Sequence, residues 1–182
     1  MTRTDASRHL LHDNLSACSE RIVSLVYSVK KNAAIFPLNL DSLAGLSDEQ
    51  KESIDALILR YSQCLSMLQD QIFRGIAVAE QEDLSDKSNR DKTLLMEKLG
   101  VIRSADAFGS AAILRNKFSH HYPEKSKDQL NKLNLLIDES VFLIGVYDDA
   151  LIYLTSKGFL RKDHGWGDQL RQVRHLTALR SQ

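Results

Sequence analysis

The segment Leu114-Arg115-Asn116-Lys117-Phe118-Ser119-His120-His121-Tyr122-Pro123 places a fixed cation, an amide, a hydroxyl and two adjacent imidazoles within ten residues. Histidine is the side chain whose ordinary pKa permits proton transfer near neutral pH. Arginine stays charged and can grip two phosphate oxygens at once. On an RNA phosphodiester, a base that activates the 2′-hydroxyl and a cation that stabilises the crowded phosphorane suffice in principle without a metal. At about 100° per residue, a helix through the segment sets Ala107, Ala111, Leu114 and Phe118 on one apolar stripe. The same wheel spreads Arg115, Asn116, Ser119 and His120 over the opposite side. Pro123 disfavours helical geometry at Tyr122 and turns that ring out of the helix. Basic groups near a helix C-terminus also serve as plain caps against the negative end of the dipole. The spacing alone leaves both readings open.

Helices must carry these residues. Apolar residues recur at intervals of three and four rather than two, and only two prolines interrupt 182 residues. Five helices are predicted. The first runs from about Ser7 to Ala34 with Leu11, Leu15, Cys18, Ile22, Leu25 and Val29 inward, and Pro37 lies in the loop that follows. The second opens at the capping box Ser47…Gln50 and carries Ile54, Leu57, Ile58, Tyr61, Leu65, Leu68, Ile72 and Ile76. A polar loop, Glu80 to Asn89, leads to a short third helix, Arg90 to Leu99, which Gly100 stops. Ser104 caps the fourth, which ends near Pro123. The fifth starts at a second capping box, Ser126…Gln129, with Leu130, Leu133, Ile137, Val141, Ile144, Leu151 and Ile152 inward, and stops before Gly158. The expected fold is all-α: an up-and-down antiparallel bundle of about five helices over residues 1–158. Residues 159–182 form a basic C-terminal extension. Long helices with wide apolar stripes favour a homodimer.

The Arg115–Asn116–four residues–His120 spacing, with Tyr122 two positions on, resembles the motif of the HEPN superfamily (higher eukaryote and prokaryote nucleotide-binding domains) in its HepT-type toxin form. The context is similar too. In that family the motif lies late in the fourth helix of an all-α bundle, after a short helix ending in a Leu-Gly-type turn, as in Leu94-Leu95-Met96-Glu97-Lys98-Leu99-Gly100-Val101-Ile102. The likeness spans roughly Asp48 to Leu154. It implies a metal-independent endoribonuclease, the toxin component of a toxin–antitoxin pair, whose site lies in a cleft between two copies of the chain. His120 would then be the general acid or base, Arg115 the phosphate-binding cation, and Asn116 the group that orients either. Ser119 and His121 would be auxiliary. The implied partner is a cognate nucleotidyltransferase antitoxin, with Tyr122 as its AMP-modification target. Other members of the superfamily are non-catalytic, so the alternative function is a binding or regulatory subunit docking a nucleotidyltransferase or a transcriptional partner.

Composition bounds the remaining choices. Lys+Arg and Asp+Glu balance at 24 each, against a generally basic nucleic-acid binder. RNA contact is therefore expected to be confined to a small cleft, helped by Arg161, Lys162, Arg171, Arg174 and Arg180 of the tail. Arg60, Arg74 and Lys117 read as ordinary surface charge or as the rim of such a groove. Cys18 and Cys64 form neither a disulfide framework nor a zinc motif. His9 and His12 share a helix face without further ligands, and Asp148-Asp149 reads as a solvated face, so no metal or other cofactor is expected. Trp166, between two glycines, is expected to pack the tail down. No secretory signal and no membrane-length apolar run is visible, so a cytoplasmic location is expected.

Overall fold

A computed structural model describes residues 3–119 and 126–160, with side chains from 9 to 119 and from 127 to 160. Every regular element among them is helical: α1 Arg3–Asn32, α2 Leu40–Ala44, α3 Asp48–Met67, α4 Phe73–Ala79, α5 Asn89–Leu99, α6 Ala105–Ser119 and α7 Ser126–Ser156. A π-helical turn, Leu68–Ile72, joins α3 to α4, so the long second helix of the sequence reading continues from Asp48 to Ala79 with one widened turn. The protein is an all-α bundle. The short α2 falls in the stretch after Pro37 that reads as loop. Its cue is local: Asn39 and Ser42 form their own capping box.

The helix ends follow their chemistry. Ser47 Oγ accepts from the Gln50 amide, and the Gln50 side chain accepts from the Ser47 amide. Ser88 and Asp91 repeat the arrangement at α5, a start signal the sequence reading passed over. Gly100 takes the left-handed conformation (φ 79°) that ends α5. Ser104 Oγ accepts from the Ala107 amide at the start of α6, and Glu97 Oε1 accepts from the Ala105 amide. The Ser126…Gln129 box, Trp166 and the tail arginines lie outside the described side chains.

One core unites α1, α3, the π turn, α4, α6 and α7. Leu11, Leu15, Cys18, Ile22 and Leu25 are buried as expected, and so are Leu57, Tyr61, Leu65, Leu68, Ile72 and Ile76. Gly75 leaves room for the Leu11 side chain of α1: a Cβ there would stand 2.6 Å from Leu11 Cδ1. On α7 the buried arc is wider than the predicted stripe and adds Leu136, Leu143, Val146, Tyr147, Ala150 and Leu154, whereas Ile152 is exposed. The difference has a packing reason: α7 touches α1, α2, α3 and α6, so more than one of its flanks is covered. Phe159 and Leu160 continue into the core beyond the helix end.

Buried polar groups tie the helices laterally. Tyr147 Oη donates to the Leu15 carbonyl at 3.0 Å, joining α7 to α1. Tyr61 Oη donates to the Ala111 carbonyl at 2.7 Å, joining α3 to α6. Asn32 Nδ2 donates to the Ser28 and Ser53 carbonyls, and Arg60 Nη1 donates to Ser28 Oγ, so α1 is stitched to α3. Asn134 holds both backbone groups of buried Leu38: its Oδ1 accepts from the amide at 2.8 Å and its Nδ2 donates to the carbonyl at 2.9 Å. No helix among the described residues is long and apolar enough to cross a membrane.

Candidate functional site

The motif helix α6 is positioned by three neighbours, α5, α3 and α7. Contact on three sides widens its buried face. Ala105, Phe108, Ala111 and Leu114 are the buried residues, with Ala107 and Phe118 only half-buried. This corrects the predicted stripe. Arg115 stands four residues after Ala111 and seven after Phe108, on the inward face and not opposite it. Asn116 is exposed on the outer side. Ser119 is also exposed, and its hydroxyl donates back to the Arg115 carbonyl at 3.2 Å. His120, His121 and Tyr122 lie outside the described residues.

Arg115 is an unusual core-facing residue. Its side chain is half-buried and its Nε is enclosed with no hydrogen-bond partner. An enclosed N–H that has lost water and gained no acceptor costs stability. The Tyr61 hydroxyl of α3 bonds to α6 one turn before Arg115. That buried hydroxyl feels both the Arg115 and the Glu139 charges. Burial, and then the negative charge of Glu139, push its pKa upward, while Arg115 pulls the other way. Glu139 is half-buried on α7, and burial raises its own carboxyl above the usual carboxylate range.

The sequence reading did not single out Tyr61 or Glu139 for the site. A cue for Glu139 was present: it stands three residues after Leu136 and four before Leu143, an acidic group at an apolar-stripe position. Arg115 breaks the stripe of α6 in the same way. Arg115 was placed on the outer side because the wheel was drawn from too narrow a stripe.

One carbonyl in the last described turn of α6 has a partner from another helix. Lys132 of α7 donates from Nζ to the Lys117 carbonyl at 3.3 Å and lies 5.0 Å from the Phe118 ring centre. That ammonium supplies the positive charge that the end of a helix dipole favours. The Arg115 side chain makes no such bond to a backbone carbonyl. Phe118 and Lys132 both border an open groove of about 440 Å³, with Leu43, Leu46, Ile54, Ile58 and Leu133.

Asp149 and Arg60, also singled out in the sequence, have structural partners. Asp149 pairs with Arg103 at 3.2 Å. Arg60 lies across α1, 5.7 Å from the Tyr27 ring centre. Cys18 and Cys64 are buried free thiols, with burial holding Cys18 far above the ordinary range and pushing Cys64 up to about 12. They are correspondingly poor nucleophiles. Among the described residues, no group of three or more His, Cys, Asp or Glu side chains is placed to hold a metal ion. No family model, curated protein or solved structure matches the chain.

Proposed function

We propose that this chain is a metal-independent endoribonuclease of HEPN type, the toxin half of a toxin–antitoxin pair, with Arg115 and His120 at the centre of its site. One observation carries the reading: an arginine faces inward near the end of α6 with its Nε enclosed and unbonded. A structural arginine in that position would be expected to satisfy its donors within the protein. An arginine kept for a phosphate leaves donor capacity unused within the protein, at a cost to the unliganded fold.

The chemistry follows from the residue types. His120 accepts the proton of a ribose 2′-hydroxyl, and the 2′-oxygen attacks the adjacent phosphorus. The bond to the 5′-oxygen breaks, and that oxygen leaves with a proton donated by an acid in the site. The products are a 2′,3′-cyclic phosphate and a 5′-hydroxyl. Arg115 binds the non-bridging oxygens as charge builds on them. Asn116 orients the imidazole or the phosphate, with Ser119 and His121 nearby in sequence. A second copy of the chain completes the cleft. Tyr122 is the position a nucleotidyltransferase partner would modify, and an AMP group there would block the site with bulk and negative charge.

The test is cleavage of RNA by the purified protein in EDTA, beside His120→Ala. Cleavage by the wild type that the variant loses supports the reading. Equal residual activity in the two sinks it.

A further inference from the structure

The described residues end at a defined place on the bundle. Gly158 takes the left-handed conformation (φ 72°), and the Phe159 and Leu160 amides donate back to the Leu154 carbonyl at 2.9 and 3.3 Å. Leu160 is buried there, and the sequence continues from it through residues 161–182. Tyr153 and Ser156, on either side of Leu154 in α7, line an open groove of about 250 Å³. The turn between α5 and α6 lines it with Val101, Ile102 and Arg103, and α7 adds Asp149 and Ile152. Ile152 is a large apolar side chain left 40% exposed at this groove. Asp149 holds Arg103 Nε at 3.2 Å, and a carboxylate has about four acceptor sites, so capacity remains for another donor. The volume falls just short of the roughly 300–1,000 Å³ typical of pockets for separate small molecules, and it suits one large side chain.

We propose that the indole of Trp166 seats in this groove, so that its occupant is the C-terminal segment of the same chain. The segment starts at the groove, because Leu160 is bonded to the Leu154 carbonyl between two groove residues. Trp166 is the first apolar residue after it, following Arg161-Lys162-Asp163-His164-Gly165. Six residues reach at most about 20–22 Å when extended. Gly165 and Gly167 flank the indole without side chains of their own, which lets the backbone come close to the groove wall. The fit is chemical as well as spatial. An indole pairs a large apolar body with one N–H donor, and the groove pairs Val101, Ile102 and Ile152 with the Asp149 acceptor. So short a tether sets the local concentration of the indole in about the millimolar range, ahead of a separate chain. The contact covers Ile152 and ties the basic extension to the bundle.

Trp166 is the sole tryptophan of the chain, so intrinsic fluorescence reads its surroundings directly. In the folded wild type, emission is expected to lie to the blue of the urea-unfolded chain, with weaker quenching by acrylamide, both independent of protein concentration. Ile152→Arg sets a charge in the groove at a position exposed enough to accept it. It is expected to move the emission to the red and raise quenching to the level of the unfolded chain. Leu40→Arg, at a position 53% exposed on α2 and lining a different groove, is expected to change neither. Circular dichroism checks that both variants remain helical. A measurement on the wild type stands beside the variants: nuclear Overhauser contacts are expected between the indole protons and the methyl groups of Ile152 and Val101. Wild-type emission and quenching equal to those of the unfolded chain overturn the proposal. So does blue emission that a folded Ile152→Arg leaves unmoved, which would seat Trp166 elsewhere, or emission that turns blue only as concentration rises, which would seat it on another copy. Absence of the Overhauser contacts in the wild type overturns it as well.

Discussion

Replacing Arg115 by methionine should make the protein more stable. The substitution keeps an unbranched stem on the face that carries Phe108 and Ala111 and removes the guanidinium. The enclosed Nε–H has no partner, so its loss relieves a desolvation penalty of about 1–3 kcal/mol. Apolar replacement of buried ionic groups ranges from neutral to about 4 kcal/mol stabilising. Arg115 is only half-buried, so the lower part of that range applies, and a gain of about 1–2 kcal/mol is expected. For a chain of this size, each kcal/mol moves Tm by about 2–4 °C. Thermal and urea unfolding followed by circular dichroism would read the change, with exposed Arg74→Met as a control that shifts little. The same variant should lose nucleic-acid binding, so stability and function move in opposite directions. A loss of about 1 kcal/mol or more in Arg115→Met would refute the reasoning, because the guanidinium would then be a structural member of the core.

Glu139 gives a pH-dependent counterpart. Its carboxyl is raised in the folded protein, so folding favours the protonated form. That contribution is fully present below the ordinary carboxylate range and is lost as pH rises through the raised value. Glu139→Gln should therefore be more stable than the wild type at neutral pH, with the difference shrinking as pH falls toward the ordinary range; urea midpoints at pH 7 and pH 4 would show it. Asn134→Ala removes both bonds to buried Leu38 and should cost about 2–4 kcal/mol in urea unfolding, whereas a change below 0.5 kcal/mol would mean that water replaces them. Ser47→Ala breaks the capping box of α3 and should cost about 1 kcal/mol by the same assay.

The sequence was most legible where chemistry is local. The Ser47 box, the Gly100 stop and the Ser104 cap each depend on residues within four positions, and each stands where the pattern puts it. The stripes of α1 and α3 were equally readable: Leu11, Leu15, Cys18, Ile22 and Leu25, and Ile54, Leu57, Tyr61 and Leu65, are buried. The wheels of α6 and α7 were harder. The contact of α6 with α3, α5 and α7 turned Arg115 inward, and the many contacts of α7 buried Leu136 and Leu143 around Glu139. No wheel drawn on a single helix shows how many partners it will have. The inward placement of Arg115 and of Glu139 is thus a product of tertiary packing, though each charge announced itself as a break in an apolar stripe.

The central claim is tested most directly by an RNA with one ribose at its scissile step and 2′-deoxyribose elsewhere, incubated in EDTA with the wild type, Arg115→Ala and His120→Ala. The account predicts cleavage at that ribose by the wild type alone, leaving a 2′,3′-cyclic phosphate and a 5′-hydroxyl, with both variants reduced at least a hundredfold, the lower end of what one acid–base or oxyanion-type group contributes. Undiminished cleavage by either variant, or no cleavage of this or the all-ribose RNA by the wild type, would contradict it.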